Sequence, residues 1–478
     1  MAAYCEAYQL EATLATALRD ACLRRAGDPR VEIATSLAHA AGPTGPSAVI
    51  AKLRGGTIAS YPDSVLEGHL LKCDEFDGIH KLKTARPHPA VWNFRQVPSA
   101  DVFGVGQCHL DGLEFLSHLL ASKRYRRVLW LNMREEPVVF LGGQACGLRV
   151  EEELNENLDY LNGIAGHELA VMEVKLRLEC EEAANARDGA PKLDVYYQIA
   201  GGVNEQRSLH LCPRATVAEA FASLNERSPV PIDYYRLPIG DETAPPAEIL
   251  AEIVALIGPV ALSRAPPPAI VFNCQMGRGR TTTGMACATI LLKVCKGWTL
   301  PDDAPTSLPS ADATDGRDLQ QGEFKSILRI LPVLSEMSSG DSATIHTALH
   351  TKPKVRSTVH ARLAHKHPTA RPIERYVERG VESKLLADEC IRDCAEVQNL
   401  TLAITQCLND AKMADPTSNR PPAFWMRRAR NYLERYAVII IFAAYCLAEA
   451  ESAFSTPFDQ WMRRHWSLRR LLKQLDFD

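Results

Sequence analysis

Apolar residues in this chain fall into short runs separated by stretches with helical spacing. RRVLWLNM (126–133) is a nearly unbroken apolar run, the pattern of a strand buried on both faces. HELAVMEVKLRLEC and KLDVYYQIA alternate apolar with polar residues and read as strands. VEEELNENLDYLNGIA reads as a polar helix, TVAEAFASLNERSP as a helix capped by its threonine, and PIDYYRLPI as an extended segment. PPAEILAEIVALIG carries proline at its first turn and sets Ile249, Ile253 and Leu256 at helical spacing, and PPPAIVFNC is the next strand. Strands alternating with helices predict an α/β fold with a central, mostly parallel sheet covered on both faces.

On either side of this region the pattern changes. Residues 1–45 read as one or two helices broken at GPTGPS. Residues 299–319 are rich in Pro, Asp, Ser and Ala and read as a solvated loop or disordered insert. From 321 onward the spacing is helical, interrupted by a basic, His-rich stretch at 351–372, and the last long helix runs from Phe424 to Glu451. No clear internal repeat is present.

Composition changes little in this picture. With 478 residues, 46% hydrophobic and 23% charged, the chain affords a sizeable core. A net charge of −4 argues against nucleic-acid binding by bulk charge, so any anion site must be a local basic pocket. No segment reads as a signal peptide. The longest apolar run, AVIIIFAAYCLA (437–448), is too short to span a bilayer. The 14 cysteines lack zinc-site spacing and are expected as reduced thiols in a cytoplasmic protein.

The chemistry concentrates in VFNCQMGRGRTTTGM (271–285). Cys274 and Arg280 are separated by five residues, with Thr281 next, a strand before and a helix after. A glycine-bearing loop at a helix N-terminus can turn its amides toward one centre and, with the helix dipole, cradle a phosphate dianion. The same field favours the thiolate of Cys274. Gln275, Met276, Gly277, Arg278 and Gly279 form the cradle. Arg280 can hold two phosphate oxygens in a fork, and Thr281 can donate its hydroxyl to the sulfur when the thiol must leave. The expected reaction is attack of Cys274 on phosphorus, a cysteinyl-phosphate, then hydrolysis; neither metal nor cofactor is needed. The leaving alcohol needs a general acid. Asp241, on the loop YYRLPIGDETAPP, is the candidate, with Glu242 as its competitor; the alternative is that Asp241 caps the helix that follows.

These motifs, together with NFRQV (93–97), LNMREEPVVFLGG (131–143), LLKCDEFDG (70–78) and RNYLERYAVIIIFAAYCLAEAE (430–451), resemble the paladin-like phosphatases. These are related to the cysteine phytases that share the protein-tyrosine-phosphatase fold. The resemblance implies a protein-tyrosine-phosphatase-like, cysteine phytase-like α/β domain with a helical C-terminal extension. Its expected divisions are a helical lead-in at 1–49, the phosphatase domain at 50–298, a flexible insert at 299–320, and helices at 321–478 packing on that domain. It also implies that Arg95, Arg134, Glu135 and Glu136 lie near the substrate mouth. An ion-pair network supporting the loop is the other reading of NMREEP.

Arg278 adds a second cation inside the loop and favours a substrate with more than one phosphate, an inositol phosphate or a phosphoinositide. It could instead face solvent or pair with Glu135 or Asp241. A phosphatidylinositol headgroup would require membrane access. WMRRHWSLRRLLKQL (461–475) could supply peripheral contact with an anionic surface, or pack its Trp and Leu residues on the domain. A phosphate-binding pseudophosphatase scaffold and a protein tyrosine phosphatase are the rival functions.

Overall fold

The computed structural model describes residues 64–158, 163–186, 190–301, 322–337 and 379–477, plus the short antiparallel pair β1 (Ile50–Ala51) and β2 (Ala59–Ser60). Residues 1–45, the insert after residue 301 and the His-rich stretch, whose structure the sequence pattern also predicts, lie outside the described residues. The chain divides into two compact units. One comprises the described residues up to Leu292 with Ile391–Leu400; the other comprises those of Lys293–Cys390 and Thr401–Asp478.

In the first unit the strands are β3 (Leu70–Phe76), β4 (Arg95–Gln96), β5 (Val102–Val105), β6 (Val128–Arg134), β7 (Val138–Leu141), β8 (Gln144–Arg149), β9 (Lys192–Gln198), β10 (Asn204–His210), β11 (Arg214–Thr216), β12 (Ile232–Ile239) and β13 (Ala269–Asn273). Its helices are α1 (Leu110–Ser122), α2 (Gly166–Asn185), α3 (Val217–Arg227) and α4 (Ala247–Leu262), and α5 (Gly279–Cys295) begins within it.

A five-stranded sheet runs β12-β6-β13-β5-β4, parallel throughout except for β4. Every residue of β5, β6 and β13 is buried, as expected for strands covered on both faces. Leu113, Leu116 and Leu120 of α1 and Phe221 and Leu224 of α3 pack with Phe103, Trp130 and Val271 from the sheet. Each such side chain contributes about 1.5–3 kcal/mol on burial. The parallel register brings Val105, Asn132 and Asn273 level at one edge. The loops bearing Gly106, Glu135, Asp241 and Cys274 all leave from that carboxyl edge, where α/β sheets bind ligands.

A second sheet, absent from the sequence reading, runs β10-β9-β3-β8-β7-β11 and is antiparallel except between β9 and β3. Consecutive strands β6 and β7 belong to different sheets, so residues 135–137 carry the chain across. The β7–β8 hairpin turns on Gly142 and Gly143 at φ 56° and 81°, values open to glycine.

Two sequence expectations are corrected here. HELAVMEVKLRLEC lies in a helix, α2, not a strand. Glu, Lys, Arg, Leu and Met favour a helix, Glu168 accepts from the Ala165 N–H at 2.8 Å, and Leu169, Met172, Leu176 and Cys180 form the stripe that packs on the second sheet. VEEELNENLDYLNGIA is not one helix: its described part holds only the 3-10 turn Glu151–Glu153. The helices expected after Thr216 and Pro246 do form, as α3 and α4. Thr216 caps α3 reciprocally with Glu219 at 3.2 and 2.8 Å. In α4, Ile253 is buried, but the stripe continues through Leu250, Val254 and Ile257.

The second unit is helical, with α6 (Lys325–Met337), most of α7 (Arg379–Asp393), α8 (Leu400–Met413), α9 (Pro422–Glu449), α10 (Phe458–Arg464) and α11 (Trp466–Lys473). By length and composition α9 could cross a membrane, but 78% of its apolar window is buried, the condition of a core helix. Its Tyr436 hydroxyl donates to Asp388 at 2.5 Å, and Lys384 pairs with the same carboxylate at 2.6 Å.

Candidate active site

Strand β13 ends at Asn273, whose Oδ1 accepts from Trp130 Nε1 at 2.9 Å. Cys274 follows, 3% exposed, and the chain curls through Gln275–Arg278 into α5. Each loop carbonyl is tied outward. Gln275 O accepts from the Gln107 N–H at 2.8 Å, and Arg278 O from the Thr282 N–H at 2.8 Å. Met276 O accepts from Asn93 Nδ2 and Gly277 O from Arg95 Nη1, both at 2.8 Å. Among the described residues, no group accepts from the amides of Gln275, Met276, Gly277 or Arg278. With carbonyls out and amides in, the loop has the form of an anion nest. Gly277 makes the curl possible: its φ is +69°, and an added Cβ would lie 2.5 Å from Gly106 N.

Thr281 Oγ1 donates to Cys274 Sγ at 3.1 Å. Arg280, 2% exposed, is fixed through Nη1 by Glu136 at 2.8 Å and the Ile239 carbonyl at 3.2 Å. Its Nε has no hydrogen bond and faces Asp241 Oδ1 at 3.4 Å. Burial opposes the guanidinium charge, but Asp241, Glu136 and Cys274 outweigh it and hold Arg280 above its ordinary range.

Asp241 stands on the loop after β12 with its side chain 41% exposed. It accepts from Asn157 Nδ2 at 2.7 Å and from the Glu242 N–H at 3.1 Å. It does not cap α4, whose N-cap position is Pro246. Glu242 has φ +61°, a left-handed conformation unusual for a residue with a Cβ.

The arginines expected at the substrate mouth sit deeper. Arg134 has no exposed side-chain surface; Asp74 takes Nη1 and Nη2, and Glu136 takes Nε at 3.1 Å. Arg95, 5% exposed, donates to the carbonyls of Asn93 and Gly277 and to Thr282 Oγ1. Both therefore brace the loop from behind, because a guanidinium buried this far must be neutralised or bonded within the protein. Burial lowers the Arg95 pKa to about 10. Glu135 accepts from the Gly163 N–H at 2.7 Å. Glu136 joins Arg134 to Arg280, so the ion-pair reading of NMREEP describes this segment.

Arg278 is half-buried with its Nε lacking a partner, and among the described residues it pairs with neither Glu135 nor Asp241.

Sequence reasoning missed the groups behind this constellation. Asp74, 1% exposed, binds Arg134, accepts from Gln275 Nε2 at 3.0 Å and lies 3.7 Å from Arg149. Burial pushes its carboxyl up, but Arg134, Arg149 and Gln275 prevail and hold it below the ordinary range. Arg236 donates to the carbonyls of Arg134 and Glu136 at 2.7 and 2.9 Å and pairs with Glu173 at 3.0 Å. Burial raises the Glu173 pKa against Arg236. A signal existed for Asp74: LLKCDEF sets a carboxylate in the middle of a largely apolar strand, which requires a buried cation.

Residues 131–292 match the PTP-like phytase family, described by the words "Inositol hexakisphosphate". The chain is 24% identical to Homo sapiens paladin over 445 residues, covering 91% of this chain and 41% of paladin. Against Mus musculus paladin it is 24% identical over 424 residues, covering 87% and 40%. It thus spans less than half the length of these relatives. A solved structure, the tandemly repeated protein tyrosine phosphatase like phytase from Mitsuokella multacida, aligns with a TM-score of 0.45 and 15% identity, covering 83% of this chain and 49% of that one. The chain is similar to the paladins over most of its length, and between residues 131 and 292 it carries the cysteine-phosphatase-like α/β fold of the PTP-like phytases.

Proposed function

We propose that this chain is a cysteine-dependent phosphatase that hydrolyses phosphate monoesters of inositol. The single observation that carries the reading is a buried sulfur, bonded by the Thr281 hydroxyl, beneath a loop whose carbonyls are all tied outward. Such a loop offers converging amides to an oxyanion before the substrate arrives, so they need no reorganisation as charge develops.

The reaction follows from these positions. The phosphate oxygens enter the nest and the open side of Arg280. Cys274 Sγ attacks phosphorus while the bond to the ester oxygen breaks, and that oxygen takes a proton from Asp241. The S–P bond of the cysteinyl-phosphate is then broken by water, whose proton returns to Asp241. The Thr281 hydroxyl stabilises the departing sulfur anion. Asp241 is suited to the acid role because its loop brings it to Arg280 while its side chain stays partly open to incoming ester.

Two observations favour inositol phosphates. The description of the matched family names inositol hexakisphosphate. Arg278 is a further cation at the loop, without an ion-pair partner among the described residues, and is available to a second phosphate group. Soluble inositol phosphates and lipid headgroups share this chemistry.

The test is phosphate release from inositol hexakisphosphate, from phosphoinositide vesicles and from a phosphotyrosine peptide, each beside Cys274→Ser. Release from the first or second, abolished in the variant, is expected. Normal turnover by Cys274→Ser would overturn the mechanism. Tight inositol-phosphate binding without release would make the chain a phosphate-reading scaffold, and preference for the peptide would make it a tyrosine phosphatase.

A further inference from the structure

Strands β3 and β8 pair so that Cys73 stands directly opposite Cys146. Opposed residues in an antiparallel pair project to the same face with Cβ atoms about 4.5–5.5 Å apart, close to the ~3.5–4.5 Å of a disulfide. Both thiols gather at Gln144: Cys73 Sγ lies 3.6 Å from its Oε1, and Cys146 Sγ 3.7 Å from its carbonyl.

His109 closes the group. Its Nδ1 accepts from the Ala145 N–H at 3.0 Å, which puts the ring proton on Nε2. That Nε2 is buried without a hydrogen bond and lies 3.5 Å from Glu75 Oε2. Glu75, two residues beyond Cys73 on the same face of β3, has a side chain 49% exposed. Cys73 and Cys146 are themselves 1% and 0% exposed, so the oxidant must be small enough to enter beside Glu75.

We propose that Cys73 and Cys146 form a reversible disulfide in response to a hydroperoxide. The Cys73 thiolate attacks the peroxide oxygen; the O–O bond breaks, leaving a sulfenic acid on Cys73 and releasing water or an alcohol. Cys146 sulfur then attacks the Cys73 sulfur, loses its proton and displaces hydroxide, which leaves as water. Two thiols lose two electrons and the peroxide gains them; a dithiol reverses the step.

The electrostatics agree with this division of roles. The neighbouring Cys146 outweighs burial and holds the Cys73 thiol down at about 6. Burial instead raises Cys108, Cys287 and Cys180, the last to about 12.

The bond would form at the root of the candidate active site. Asp74, next to Cys73, faces the other way and holds Arg134 and Gln275. Gly147, next to Cys146, leaves the space that Arg134 Nη2 fills, 2.9 Å from where its Cβ would be. Drawing the two strands together shifts this anchor. The consequence for phosphate release rests on the function proposed above.

The first test uses the full chain as Cys274→Ser, so that the candidate nucleophile cannot react. Hydrogen peroxide should yield a Cys73–Cys146 cross-link on peptide mapping and a mass loss of about 2 Da, for two hydrogens, both reversed by dithiothreitol. Cys108, Cys180 and Cys287 should remain free for alkylation after denaturation. No cross-link, or one no more abundant than those among these three, would overturn the proposal whatever the enzyme does. The second test measures phosphate release with Cys274 present. Peroxide should cause a loss recoverable by dithiothreitol that is several-fold greater in the parent than in Cys146→Ala. Equal loss in both would show that the pair does not act on the site, leaving the phosphatase reading intact.

Discussion

The two sheets of the first unit bury different things. The five-stranded parallel sheet buries mainly apolar residues in β5, β6 and β13 and releases its chemistry from one edge. The six-stranded sheet buries Lys72, Asp74 and Arg149, at 4%, 1% and 2% exposure. Apolar burial stabilises without specifying direction. Buried charges cost several kcal/mol each to desolvate and are tolerated only in fixed pairs. The difference teaches that one sheet carries the candidate site residues and the other restrains them. Arg134 ends a strand of the first sheet and is gripped by Asp74 from the second.

This contrast predicts separable effects. Substitutions at the parallel edge should cost rate with little stability, whereas substitutions in the buried ion network should cost both. Cys274→Ser should lower phosphate release by at least ~10⁴-fold, with an unfolding midpoint near that of the parent. A residual rate within ~10-fold of the parent would remove the sulfur from the chemistry. Asp241→Ala should cost ~10²–10⁴-fold on alkyl esters and much less on aryl esters with acidic leaving groups, measured as kcat/KM across a leaving-group series.

Behind the loop, Asp74→Asn should destabilise by about 3–5 kcal/mol in urea unfolding, because Arg134 is left buried beside a neutral amide. Its pH dependence carries a sign. The folded carboxyl of Asp74 titrates below its unfolded value, so its contribution is present above the unfolded pKa and is lost as pH falls through the folded one. The stability difference between parent and Asp74→Asn should therefore shrink on acidification below about pH 4. A constant difference would mean that Asp74 does not act through its charge. At the small end, Glu205→Gln in the exposed Glu205–Arg207 pair of β10 should leave both the unfolding midpoint and the rate unchanged.

The parallel core and the loop were legible because their signals are local. RRVLWLNM can bury both faces only inside a covered sheet, and Cys274, Gly277 and Arg280 stand within one turn of chain. The second sheet was not legible because long-range pairing sets it: Cys73 meets Cys146 and Lys72 meets Tyr196. One local clue was passed over. VVFLGGQ ends an apolar run on two adjacent glycines, the signature of a tight hairpin. HELAVMEVKLRLEC misled through strict alternation from Met172 to Cys180. Glu173 breaks the solvent-facing logic of that pattern, since it is 2% exposed and binds Arg236 and the Val138 N–H. The burial of Arg134 and Arg95 was equally invisible, because the first is held by Asp74 and Glu136 and the second by the Gly277 carbonyl and Thr282, all distant in sequence or fixed only by the fold.

Four independent tethers hold the loop carbonyls of residues 275–278: a backbone amide from one neighbouring segment, an asparagine and an arginine from another, and the helix that follows. A ring fastened at so many points keeps its curvature when nothing occupies it. On the phosphatase reading, capture of an oxyanion would resemble filling a rigid socket, with entropy drawn mainly from displaced water and little from ordering of the chain.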